Sequence, residues 1–125
     1  MSTDETPLRL LLEYRLDSGV TVVTVTGEVD ASTSRLLRDG LLRVIADEDR
    51  PGLVVNLASV NFMDSMGIGV LVGIWHRIRA SHGCLALAAP CRQVQRVLDT
   101  TGVTRAFSVY GSDAEAVQAC RQPAG

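Results

Sequence analysis

The chain has 125 residues, 46% of them hydrophobic, and a formal net charge of −2. That length and apolar content suit one domain with one real core and exclude a disordered chain. There is no basic cluster, and no apolar run approaches the about 18 residues of a membrane span, so nucleic acid and membranes are set aside as partners.

Residues 1–7 are polar and end in Pro7, which reads as a loose tail. Asp4 and Glu5 stand where a secretory leader would be basic, so the chain is expected to be cytoplasmic. Residues 8–16 are apolar and compatible with a first strand, and Asp17-Ser18-Gly19 is a turn signal that makes a hairpin with the second strand. That strand is predicted over residues 20–29, which are dense in valine and threonine. Asp30, Ser32, Thr33 and Ser34 offer N-caps for a helix reaching about Asp47. Leu37, Leu41 and Val44 form its apolar stripe, with Arg35, Arg38, Asp39 and Arg43 on the wet side.

Pro51-Gly52 opens a continuous apolar run over residues 53–57, the pattern of a strand covered on both faces. Asp64-Ser65 heads a second helix reaching about His82, with Gly83 as its C-terminal cap. A short buried strand comes next over 84–88, and Pro90 opens a third helix over 91–100 that Gly102 stops. A last strand covers 106–109, Ser112-Asp113 caps a terminal helix over 114–121, and residues 122–125 are a C-terminal tail. The order ββαβαβαβα predicts one α/β domain, residues 8–121, with a mostly parallel sheet after an opening hairpin and about four helices.

Candidate chemistry concentrates at the head of the second helix. Ser65 sits beside unpaired amides and the positive end of a helix. It fails as a hydrolase nucleophile: Met63 stands where a nucleophile elbow needs glycine, and His76 and His82 lie turns away on the same helix. Gly67, Gly69 and Gly73 fail as a dinucleotide loop, because the fingerprint needs glycine where Val72 stands. Gly67 and Gly69 instead read as positions of close approach, a partner's surface being one candidate. Asp30 comes after the second strand as Asp64 comes after the third, so both are placed on one edge of the sheet, where α/β proteins tend to bind. The second helix has more apolar residues than one face holds; Ile68, Val72 and Trp75 make a second flank that either a neighbouring helix covers or a partner does. Cys84, Cys91 and Cys120 match no metal spacing and are read as free thiols in a reducing compartment. No catalytic residue, metal or cofactor is expected.

The segment from Phe62 through Asp64-Ser65-Met66-Gly67 to Leu71 closely resembles the signature loop and helix of bacterial anti-sigma factor antagonists, which are STAS-domain proteins. Val25-Thr26-Gly27-Glu28-Val29-Asp30, the strand over 53–57, and the run from Pro90 to Val103 agree with it. The resemblance implies a non-enzymatic regulator whose unphosphorylated form binds an anti-sigma factor that is also a serine kinase, of the GHKL type, and so frees a sigma factor. It implies Ser65 as the phosphoacceptor, a phosphatase that resets it, and Asp30 as an acidic position near the docking surface. Met66 departs from the second Ser or Thr that members often carry, leaving Ser65 as the acceptor. With the apolar flank, the implied docking set is Asp30, Asp64, Ser65, Met66, Gly67, Ile68, Gly69 and Val72, on a monomer or weak dimer. The competing reading is a STAS scaffold or ligand-sensing module that docks by the same face without phosphorylation.

Overall fold

A computed structural model describes residues 9–121. The expected tails, 1–7 and 122–125, and the first residue of the expected first strand, Leu8, lie outside the described residues. Five strands, β1 (Leu10–Asp17), β2 (Val20–Val29), β3 (Gly52–Met63), β4 (Cys84–Ala88) and β5 (Ser108–Tyr110), form one sheet in sequence order. β1 and β2 pair antiparallel, as the Asp17–Gly19 turn requires, and the remaining pairings are parallel. The helices are α1 (Ser34–Ile45), α2 (Ser65–Ala80), α3 (Arg92–Thr101) and α4 (Asp113–Arg121).

Strands that advance in one direction through right-handed crossovers put every connecting helix on one face. The side chains divide accordingly. Val23, Val25, Leu53, Val55, Leu57, Leu85 and Leu87 point to the face covered by α1, α2 and α3, where Leu37, Leu41, Leu71, Ile74, Ile78, Val94 and Leu98 complete the main core. The alternate residues Val20, Val22, Val54, Ala86 and Ala88 point the other way and pack against Ala116 and Val117 of α4. This is the period-2 alternation of a sheet covered on both sides. The small side chains of Ala86, Ala88 and Ala116 let α4 lie close on its face.

β3 is twelve residues long, where the sequence pattern predicts a strand over 53–57. The difference has a physical cause. The β2–β3 register shifts between Thr24 and Thr26 and again between Gly27 and Glu28, each shift adding a residue to β3. Two bulges scramble the alternation that would otherwise mark a strand. Beyond Asn56 the β4 ladder has ended, so the far half of β3 pairs with β2 alone. Gln93 of α3 serves its open edge: the Met63 amide donates to Gln93 Oε1 at 3.1 Å, and Gln93 Nε2 donates to the Met63 carbonyl at 3.3 Å.

Helix ends also differ in detail. The left-handed residue after α2 is His82 (φ 59°), not Gly83. Gly83 is needed for another reason, since a Cβ there would run into the Pro51 carbonyl oxygen. Pro90 precedes the α3 N-cap, Cys91, instead of opening the helix, whereas Gly102 ends α3 in the left-handed conformation (φ 79°) as its position predicts. A 3₁₀ turn, Val103–Arg105, takes up the chain before β5 and moves that strand two residues on.

The expected set of three free thiols is corrected. Cys84, at the head of β4, and Cys120, in α4, form a disulfide, and Cys91 alone is free. The packing of α4 on the β4 face brings the two together across a sequence separation of 36, which no local spacing could signal. Closing a loop of that size is worth about 3–4 kcal/mol in the chain-entropy account. Reduction of the purified protein is therefore expected to lower its denaturation midpoint, while a Cys84→Ser/Cys120→Ser variant should be insensitive to reductant. An unchanged midpoint on reduction of the wild type would count against the bridge.

Candidate functional site

Val29 of β2 pairs with Met63 of β3, so the chain leaves the sheet at adjacent points through Asp30 and Asp64. The expected placement of these two acidic residues on one edge is what the register produces. The turn into α2 is then tied back to β2, because the Asp64 amide donates to the Val29 carbonyl at 3.1 Å.

Asp64 is the N-cap of α2, with extended backbone (φ −115°, ψ −168°). Its Oδ1 accepts from the Met66 amide at 2.9 Å, and its carbonyl accepts from the Gly67 and Ile68 amides. The capping role thus belongs to Asp64, and the hydroxyl of the exposed Ser65, first residue of the helix, is not used for it. Gly67 faces inward: a Cβ there would stand 2.7 Å from both Met63 Cγ and Val29 Cγ1. A glycine at this position lets the first turn of α2 lie directly on the ends of β2 and β3. Gly69, by contrast, is exposed with open space around it.

Asp30 does not cap α1; the N-cap there is Thr33, which makes no side-chain cap hydrogen bond. Asp30 closes a turn of its own. Its Oδ1 accepts from the Ser32 amide at 2.9 Å and the Ser32 hydroxyl at 2.7 Å, and its amide donates to Thr33 Oγ1. Arg9 reaches across from the start of β1 to the Asp30 carboxylate, to Ser32 Oγ and, at 3.3 Å, to Glu28. The Ser32 hydroxyl first, then the Ser32 amide and Arg9, bring the Asp30 carboxyl down to about 2 from 3.8. A carboxyl depressed in the folded chain favours folding when ionised. Its contribution is complete above about pH 4 and is lost as pH falls through about 2. The wild type is expected to lose more stability between those limits than an Asp30→Asn variant, read as the pH dependence of the denaturation midpoint. Parallel curves would remove Asp30 from the account.

The second apolar flank of α2 is covered from within the chain at Ile68 and only partly at Val72 and Trp75. Ile68 is 6% exposed, and Val72 and Trp75 are half-buried against the core. The Trp75 ring lies 6.1 Å from that of Phe107 and carries the Arg79 guanidinium 5.2 Å from its centroid. What remains exposed beside Ser65 is Met66 (49%) and, on the far half of β3, Phe62 (41%). Phe62 is not among the expected docking residues; the β3 bulges that turn it outward leave no simple pattern in the sequence. A groove of about 350 Å³ runs between α1 and α2, lined by Ser34, Arg35, Arg38, Ser65, Met66, Gly69 and Val70. Arg35 and Arg38, read from spacing only as the wet side of a helix, therefore belong to the surroundings of Ser65. Among the described residues no cluster of three His, Cys, Asp or Glu side chains could hold a metal, and no helix is long and apolar enough to cross a membrane.

An exposed serine at a capped helix start thus stands where β2 and β3 end in a five-stranded sheet, within a small α/β domain. The model of the STAS domain matches residues 12–116, and the chain belongs to that family. An anti-sigma F factor antagonist of Paenibacillus polymyxa is 29% identical over 110 residues, covering 88% of this chain and 94% of the relative. The anti-sigma-B factor antagonist of Bacillus subtilis is 29% identical over 96 residues, 77% of this chain and 86% of its own. The crystal structure of an anti-sigma factor antagonist from Mycobacterium paratuberculosis superposes with a TM-score of 0.82 at 27% identity, covering 98% of this chain and all of that one. The fold, though not more, is shared with unphosphorylated SpoIIAA, at TM-score 0.72 and 22% identity, over 93% of this chain and 99% of that one. These relatives are regulators that act by protein interaction and are not enzymes.

Proposed function

We propose that this protein is an anti-sigma factor antagonist. Its unphosphorylated form binds a cognate anti-sigma factor that is also a GHKL-type serine kinase, and so releases a sigma factor in the bacterial cytoplasm. Phosphorylation of Ser65 ends the complex, and a phosphatase restores it. The observation that carries this reading is the Asp64-Ser65 helix start, where Asp64 caps the helix and leaves the Ser65 hydroxyl exposed. The docking surface comprises Asp30, Asp64, Ser65, Met66, Gly69 and Val72. Gly67 and Ile68, buried in the isolated chain, shape it from beneath by holding the first turn of α2 against the sheet.

Simple electrostatics supports such a switch. A phosphate adds about −1.5 to −2 charges. The helix N-terminus carries roughly +0.5, so the fold tolerates the group. The test is affinity capture from native extract with the wild-type chain as bait and mass spectrometry of what is held. The expected catch is an ATP-binding anti-sigma factor, depleted when the bait is phosphorylated beforehand. Capture of partners that ignore phosphorylation would favour a STAS scaffold instead.

A further inference from the structure

The groove between α1 and α2 contains a feature that docking does not explain. Arg35 and Arg38 stand three residues apart on α1, so they share one helix face, and both line the same groove as Ser65. Like charges at that spacing disfavour a helix unless an anion lies between them. Among the described residues Arg35 has no ion-pair partner, and Arg38 has only its own neighbour Asp39, at 3.6 Å between two exposed side chains. The other acidic group at the site, Asp64, is engaged with the Met66 amide. The groove's other wall is the first turn of α2; its Met66, Gly67 and Ile68 amides are already taken up by Asp64, and its positive end still favours an anion. Its volume of about 350 Å³ is ample for a phosphate.

We infer that this groove is an intramolecular receptor for the phosphate on Ser65, with Arg35 and Arg38 as the groups that hold it. The inference rests on the reading of Ser65 as phosphoacceptor. In the modification, Ser65 Oγ bonds to the terminal phosphorus of a nucleoside triphosphate and the bond from that phosphorus to its bridging oxygen breaks. The nucleoside diphosphate leaves and the hydroxyl proton passes to a base of the kinase. The new dianion then lies against α1 in place of pointing into solvent. Two guanidiniums that could otherwise meet acidic groups of a partner are withdrawn with it. Phosphorylation thereby both adds charge to the surface and removes the basic groups from it.

The experiment uses the full chain with phosphoserine placed at position 65 by semisynthesis, so that no kinase is needed. The phosphorus resonance is titrated between about pH 4 and 8, around the ordinary second ionisation near 6. In the parent the midpoint is expected to lie lower by about 0.5–1 pH unit than in an Arg35→Gln/Arg38→Gln variant. Both positions are exposed, so the variant is expected to fold, which circular dichroism checks. The single variants are expected to fall between. Coincident midpoints in parent and double variant would overturn the receptor while leaving the kinase reading untouched. Conversely, a shifted midpoint in a chain that no kinase modifies would keep the groove and remove its use.

Discussion

Ser65→Asp is expected to leave the domain folded and to weaken binding of the anti-sigma partner by about 100-fold or more. The fold should survive because Ser65 is exposed at the first position of α2, where a negative group meets the positive end of the helix. Binding should fail because the same charge lies within the docking surface. One added charge about 5 Å from a partner carboxylate costs roughly 3 kcal/mol at an effective dielectric near 20, and about 1.4 kcal/mol is tenfold in affinity. Genuine phosphate, with up to about two charges, approaches the about 5.5 kcal/mol that reverses an equilibrium from 99:1 to 1:99. Ser65→Ala is expected to bind as the wild type does, since Asp64, not Ser65, provides the cap. Titration calorimetry against the captured partner distinguishes the two variants. Equal affinities for Ala and Asp would show that charge at this position does not control docking.

The second large effect is on stability. Gly27 lies in β2 at φ +125°, a region that L side chains rarely adopt, and a Cβ there would collide with the Arg9 carbonyl oxygen and approach its carbonyl carbon to 2.9 Å. That carbonyl is fixed, because it accepts from the Glu28 amide at 3.0 Å. Backbone cannot step aside as a flexible side chain can. Gly27→Ala is therefore expected to cost about 3–5 kcal/mol, combining backbone strain with a forced displacement of β1. Gly19 makes the control: it too has positive φ, +84°, but nothing lies within 4 Å of its Cβ position. Gly19→Ala should cost only about 1 kcal/mol, the strain alone. Denaturation of the two variants side by side measures the difference; similar losses would mean the close approach at Gly27 is unimportant. Gly27→Ala should also loosen Asp30, since the Arg9 that clamps it is carried by the displaced end of the strand.

The hairpin, the parallel order and the four helices are legible because each rests on local patterns that agree with one another. β2 is bounded by Gly19 and Asp30, and its ten residues match the predicted 20–29. β4 likewise matches 84–88. Asp64-Ser65 is legible for the same reason, an N-cap followed by a helical apolar pattern. Features that depend on contacts between distant segments are not legible. The bulges that lengthen β3 arise from its ladder with β2. The Cys84–Cys120 bridge depends on α4 crossing the back of the sheet. Trp75, whose periodicity suits a docking flank as well as a core, is partly covered by Phe107, a residue beyond the end of α3. Arg9, Arg35 and Arg38 look like ordinary surface charges until the fold sets them beside Asp30 and Ser65.

The switch at Ser65 is read by incubating the purified chain with the captured anti-sigma partner and a nucleoside triphosphate, then following intact mass and fragment masses alongside complex formation. The expected result is the gain of one phosphate, localised to Ser65, and dissociation of the complex in step with that gain. A complex that persists after Ser65 is fully phosphorylated, or a phosphate that appears on any other residue while Ser65 stays bare, would contradict it.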